Sequence, residues 1–124
     1  MSKKILIVDD DEAIGDALQL MLEDAGYEVE IQMDGHAVTH MQEPFPDLLL
    51  LDIRLSGVDG QTICWQLKYQ EATRHIPIII LSAHRETQRI AREAGADTFL
   101  AKPFEMEELL TLVASYLESE QHHV

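Results

Sequence analysis

Four apolar runs in this 124-residue chain each stop at a residue suited to phosphoryl chemistry. Ile5-Leu6-Ile7-Val8 runs into Asp9-Asp10-Asp11, and Leu48-Leu49-Leu50-Leu51 runs into Asp52. Ile78-Ile79-Ile80-Leu81 runs into Ser82, and Phe99-Leu100-Ala101 runs into Lys102-Pro103. A carboxylate can attack a phosphoryl group and form an acyl phosphate. Carboxylates gathered ~5 Å apart repel by roughly 3 kcal/mol per pair at an effective dielectric of about 20. A divalent cation relieves that repulsion, and Mg²⁺ favours one or two carboxylates together with waters and phosphate oxygens. A lysine ammonium can neutralise phosphoryl charge.

These side chains can act together only if the chain brings them to one place. Continuous apolar runs bounded by polar residues read as strands buried on both faces of a parallel sheet. In such sheets ligands bind outside the carboxyl ends of the strands. Between the runs, Glu12 to Ala25 carries Ala13, Ile14, Ala17, Leu18, Met21, Leu22 and Ala25 as one helical stripe, closed by Gly26. Tyr27 to Gln32 reads as a further strand, and Gly35 to Gln42 as a short helix stopped by Pro44 and Pro46. Gln61 to Gln70 reads as a helix with Ile63, Cys64 and Leu67 inward, which leaves Trp65 beside that stripe as either a half-buried residue or a partner anchor. Glu86 to Ala94 reads as a helix ending at Gly95, and Glu105 to Leu117 as one with Met106, Leu109, Leu110, Val113, Tyr116 and Leu117 on one face. Five strands alternating with five helices over short loops imply an α/β sandwich with a parallel sheet.

Composition narrows the partners. A formal net charge of −14 argues against nucleic acid and anionic lipid, whose affinity comes from clustered Lys and Arg. No stretch reaches membrane-spanning length, and Met1-Ser2-Lys3-Lys4 leads straight into an apolar run, so no signal peptide is expected. The single Cys64 fits a reducing cytoplasm. One domain is expected over 1–124, with its core at 4–117 and a tail at 118–124 that includes His122-His123.

The ordered motifs resemble the receiver domain of bacterial two-component response regulators, of the chemotaxis-regulator kind. They are Asp9-Asp10, Asp52 followed by Val58-Asp59-Gly60, Ser82-Ala83, and Ala94-Gly95-Ala96-Asp97 leading to Lys102-Pro103-Phe104. The resemblance implies a flavodoxin-like, doubly wound sheet of order 2-1-3-4-5. It makes Asp52 the phosphoacceptor, with Asp10 and Asp52 as direct Mg²⁺ ligands, Asp9 acting through water and the Arg54 carbonyl as another ligand. Lys102 would meet the phosphoryl charge, Ser82 would donate its hydroxyl, and Phe99 would turn inward behind it. The donor would be a histidine kinase or phosphotransfer protein. Output would be a protein contact on the fourth helix, fifth strand and fifth helix, and the chain would not be an enzyme beyond its own phosphorylation and dephosphorylation.

Each assignment has a plainer rival. Asp11 reads as a helix cap, Ser82 as a turn residue, Lys102 as a solvated loop lysine, and Phe99 as core. The chain also departs from the family: Leu55-Ser56 replaces the usual Met-Pro, Arg54 stands where a small polar residue is common, and Ser82 to Gly95 is about two residues short, which displaces His84. Two other readings follow: a receiver-like interaction module that is not phosphorylated, and a haloacid-dehalogenase-type phosphatase, whose Asp-x-Asp is mimicked by Asp9-Asp10-Asp11.

Overall fold

The apolar runs form four of the five strands in a computed structural model that describes residues 3–9, 11–52, 60–82 and 87–118. The order along the chain is β1 (Lys4–Val8), α1 (Glu12–Asp24), β2 (Glu28–Gln32), α2 (Gly35–Thr39) and β3 (Leu48–Asp52). It continues with α3 (Gly60–Tyr69), β4 (Ile78–Ser82), α4 (Thr87–Ala94), β5 (Thr98–Ala101) and α5 (Met106–Leu117). All neighbouring strands are parallel, in the order β2-β1-β3-β4-β5. This is the doubly wound sheet expected of the motif pattern. Among the described residues no helix is long and apolar enough to cross a membrane.

The central strands are buried on both faces, and their side chains alternate between two cores. Leu6, Val8, Leu49, Leu51, Ile78 and Ile80 pack with Ile63, Cys64 and Leu67 of α3 and Ala91 and Ala94 of α4. Ile5, Ile7, Leu48, Leu50, Ile79 and Leu81 pack with Leu18 and Leu22 of α1 and Leu109, Val113 and Leu117 of α5.

The helix boundaries follow local chemistry. The Asp11 carboxylate accepts from the Ala13 and Ile14 amides at 3.1 and 3.3 Å and starts α1. Gly26, at φ +102°, supplies the left-handed residue after the Ala25 cap. Two expectations shift. The α1 stripe is turned: Ala13, Ala17 and Ala25 are exposed, while Gly15 is buried where an added Cβ would stand 3.5 Å from Ile31. The second helix stops at Thr39 rather than Gln42, with His40 as its cap. Met106, expected on the inner face of the last helix, is exposed at the first turn of α5.

Candidate functional site

Strand register and alternation assemble the site. Val8 pairs with Leu51, so Asp9 stands level with Asp52 one step beyond. Ser82 pairs with Ala101, which puts Lys102 one step past the end of β5. Side chains alternate with period two, so Asp9 and Asp52 share the face of Ile5, Ile7, Leu48 and Leu50, under α1 and α5. Lys102 falls in the same phase as Leu100. Ser82 and Phe99 fall in the opposite phase, on the α3–α4 side.

Strands lie about 4.8 Å apart, so the lysine must cross β4 to reach Asp52. Its stem spans that gap. Lys102 Nζ stands 3.4 Å from Asp9 Oδ2 and 3.7 Å from Asp52 Oδ2. The Asp9 side chain is 1% exposed, and its other oxygen, Oδ1, accepts from the Asp11 amide at 2.8 Å. A carboxylate withdrawn this far from water requires such partners. The plainer reading of Lys102 as a solvated loop residue is therefore replaced by a half-buried ammonium shared between two acids. Asp11 is the expected helix cap.

The remaining expected residues divide in two. Ser82 is buried at the end of β4, and its carbonyl accepts from the Lys102 amide at 2.8 Å. Phe99 is half-buried against the α3–α4 core, beside Ile80 in the register and on the same face as Ser82. Asp10, Arg54, His84, the Leu55-Ser56 turn and the His122-His123 tail lie outside the described residues. No cluster of three or more metal-ligating side chains forms among the described residues. Asp9 and Asp52 nonetheless set two carboxylates against one ammonium, and that excess of negative charge suits a divalent cation.

Three features were not read from the sequence. An apolar cleft of about 390 Å³ opens beside the site, lined by Ile14, Ala17 and Leu18 of α1 and by Lys102, Pro103, Phe104 and Met106. It depends on tertiary packing of two helices, although the exposed Met106 after Pro103-Phe104 hints at it. At the opposite edge of the sheet, Lys68 Nζ donates to Asp97 Oδ2 at 2.8 Å and to the Ile76 and Arg74 carbonyls at 2.7 and 3.2 Å. Asp97 Oδ2 also accepts from the Ile78 amide at 2.8 Å. Nearby, burial pushes the Cys64 thiol up to about 11, and its Sγ–H lies 3.6 Å from the Ala94 carbonyl. Third is the stacking of Trp65, left open above between half-buried and partner anchor and here 53% exposed, on Tyr69, 77% exposed, with ring centroids 5.1 Å apart.

The doubly wound fold and the acid–lysine cluster at its carboxyl edge define a receiver-type class, and comparison with known proteins agrees. The family profile described as the response regulator receiver domain matches residues 5–114. The chain belongs to that family. It is 41% identical over 117 residues to the DNA-binding dual master transcriptional regulator RpaA of Synechocystis, covering 92% of this chain and 48% of that protein. A putative response regulator from Chloroflexus aurantiacus superposes with a TM-score of 0.89 at 36% identity, covering 95% of this chain and 99% of that one. The receiver domain of a Pseudomonas aeruginosa sensor histidine kinase, with a magnesium ion coordinated in its active-site cleft, superposes with a TM-score of 0.86 at 30% identity over 95% of this chain and 99% of that one. The chain spans about half the length of the curated relatives it matches. The phosphatase alternative falls with this membership.

Proposed function

We propose that Asp52 is the phosphoacceptor of a two-component signalling switch. One observation carries the reading: register and alternation bring Asp9, Asp52 and Lys102 together, with one ammonium within 4 Å of both carboxylates. An Asp52 oxygen attacks the phosphorus of a phosphohistidine in a histidine kinase or phosphotransfer protein. The P–O bond forms as the P–N bond breaks, and the imidazole leaves with the electron pair. Phosphoryl transfer depends mainly on positioning and charge stabilisation. Lys102 holds the added negative charge, and Ser82 donates its hydroxyl to a phosphoryl oxygen. Asp9, Asp10, Asp52 and the Arg54 carbonyl would hold Mg²⁺, and the bound cation would supply charge to offset carboxylate repulsion and polarise phosphoryl oxygens. The apolar cleft ending at Lys102 supports a protein donor, because it offers an apolar seat beside the acceptor.

The signal passes through Ser82 and Phe99, which share the sheet face opposite the acids. Drawing Ser82 toward the phosphoryl group vacates space that Phe99 fills, and this biases α4, β5 and α5 toward a downstream protein. The reaction is confined to the protein's own phosphorylation and dephosphorylation, in the cytoplasm where such donors work.

Incubation with acetyl phosphate and Mg²⁺, followed by intact-mass and peptide mass spectrometry, tests the assignment. Wild type should gain one phosphoryl group on Asp52, and Asp52→Asn none. An unmodified wild type would make the chain an interaction module of receiver shape. Calorimetry tests the metal set: Asp10→Ala should lose most Mg²⁺ binding, and equal affinity in the two proteins would remove Asp10 from it.

A further inference from the structure

We propose that His36 and His40, on the exposed side of α2, chelate one divalent transition-metal ion of the class that prefers imidazole, such as Zn²⁺. The site is separate from the acid–lysine cluster and does not rest on the phosphoryl chemistry proposed for Asp52.

Spacing is the first observation. His36-Ala37-Val38-Thr39-His40 sets two imidazoles at i and i+4. Residues so spaced are neighbours on a helix surface, with Cβ atoms about 5–6 Å apart. The same interval lets the two histidines of an H-E-x-x-H helix hold a single zinc ion. Both His36 and His40 are exposed, while Gly35 and Val38 turn inward, so an ion reaches the rings without disturbing the core.

Hydrogen bonding is the second observation, and it prepares one of the rings. The last turn of α2 tightens, and the His40 amide bonds to the Ala37 carbonyl at 3.4 Å. The His36 carbonyl is met instead by the Thr39 hydroxyl at 2.9 Å and by His40 Nδ1 at 3.1 Å. A carbonyl oxygen only accepts, so the Nδ1 that faces it carries the ring proton. Thr39 Oγ1, 3.0 Å from Nδ1, fits as a second acceptor of that N–H. Nε2 is then the unprotonated nitrogen, with its lone pair available. An imidazole whose other N–H is held by a backbone carbonyl is the usual form of a metal-ligating histidine. Capping the helix accounts for Nδ1 alone and leaves Nε2 unused. Among the described residues no hydrogen bond engages the His36 ring, so either of its nitrogens can turn to the ion.

The donor set selects the metal. No third His, Cys, Asp or Glu joins the pair among the described residues, so water fills the remaining positions. Two imidazole nitrogens suit Zn²⁺, Ni²⁺ or Cu²⁺, whereas Mg²⁺ takes oxygen ligands and belongs with the carboxylates. The chain's formal charge of −14 raises the local concentration of any cation. An ion held by His36 in the first turn and His40 at the C-cap would clip together a five-residue helix too short to be stable alone.

Calorimetric titration with ZnCl₂ in excess Mg²⁺ tests the site. Wild type should show a Zn²⁺ phase that is weakened at least about tenfold in His36→Ala, since even a hydrogen-bond partner of a metal ligand is worth about that much. His40→Asn, which keeps a polar C-cap, should lose the same phase. The double variant His122→Ala/His123→Ala should keep it, which separates the helix pair from the histidines of the tail. Zn²⁺ should also raise the melting temperature of wild type more than that of His36→Ala. No Zn²⁺ binding by wild type, undiminished binding by His36→Ala, or loss of the phase in the tail variant overturns the proposal.

Discussion

A lysine and an aspartate meet at each end of the central sheet, and the two pairs are built differently. At the amino edge, Lys68 has three N–H donors and three acceptors at 2.7, 2.8 and 3.2 Å, and Asp97 Oδ2 accepts a second bond from the Ile78 amide. Asp97 also donates its amide to the Ile78 carbonyl and accepts from Tyr116, so α3, β4, β5 and α5 close on one point. At the carboxyl edge, Lys102 stands at 3.4 and 3.7 Å from two acids that compete for it. The first arrangement is saturated and holds elements together. The second leaves the ammonium at long range from both partners, where an arriving anion can take it over.

The largest expected effect breaks the saturated end. Lys68→Met takes the cation from the Asp97 carboxylate, which keeps the Ile78 amide, and removes the donor to the Ile76 carbonyl; it should lower unfolding free energy by about 2–3 kcal/mol, the range for a lost charged hydrogen-bond partner. Urea unfolding measures it, with an unchanged slope showing that only stability moved. Cys64 offers a second view of the same edge. With its thiol pushed to about 11, little thiolate exists at neutral pH. Alkylation of Cys64 should proceed only through opening of the structure, and should accelerate in Lys68→Met in step with the stability loss.

The open end should respond in affinity. Removing the ammonium in Lys102→Met leaves the carboxylates uncompensated, so Mg²⁺ should bind about tenfold tighter, equivalent to ~1.4 kcal/mol. Calorimetry of Lys68→Met beside it should show wild-type Mg²⁺ affinity. If both variants bind alike, the contrast between the two ends fails.

The smallest effect concerns pH. Burial, then the Glu118 charge and hydrogen bond, raise the Tyr27 hydroxyl above its ordinary value of 10.0. Because the folded state holds this proton more tightly, the stabilisation is full below pH 10 and is lost as pH rises through the raised value. Tyr27→Phe should flatten that alkaline fall in thermal melts.

The acid–lysine cluster was legible because parallel strands deliver their carboxyl ends to one edge, so residues ending apolar runs converge without knowledge of tertiary detail. Lys68 was not legible. Its partner lies 29 residues away, across a strand and a helix, and nothing in helical periodicity marks a lysine that turns under the helix. Gly15 was missed for a related reason: hydrophobic periodicity gives no weight to a residue without a side chain, yet closeness to Ile31 makes it the buried point of its turn. The second helix ran short because two prolines halt a helix only at their own positions, while His40 capped it earlier. The cleft beside Lys102 depends on how two helices from opposite ends of the chain diverge, which local pattern does not encode.

Asp11 ties a helix to the acid–lysine cluster. Its side chain grips the first amides of α1, while its own amide holds Oδ1 of Asp9. Helix and carboxylate thus form one mechanical piece, and any load on Ile14, Ala17 or Leu18 is carried through a single residue to the acid facing Lys102. A molecule leaning on α1 would pull on the Asp9–Lys102 contact without touching it.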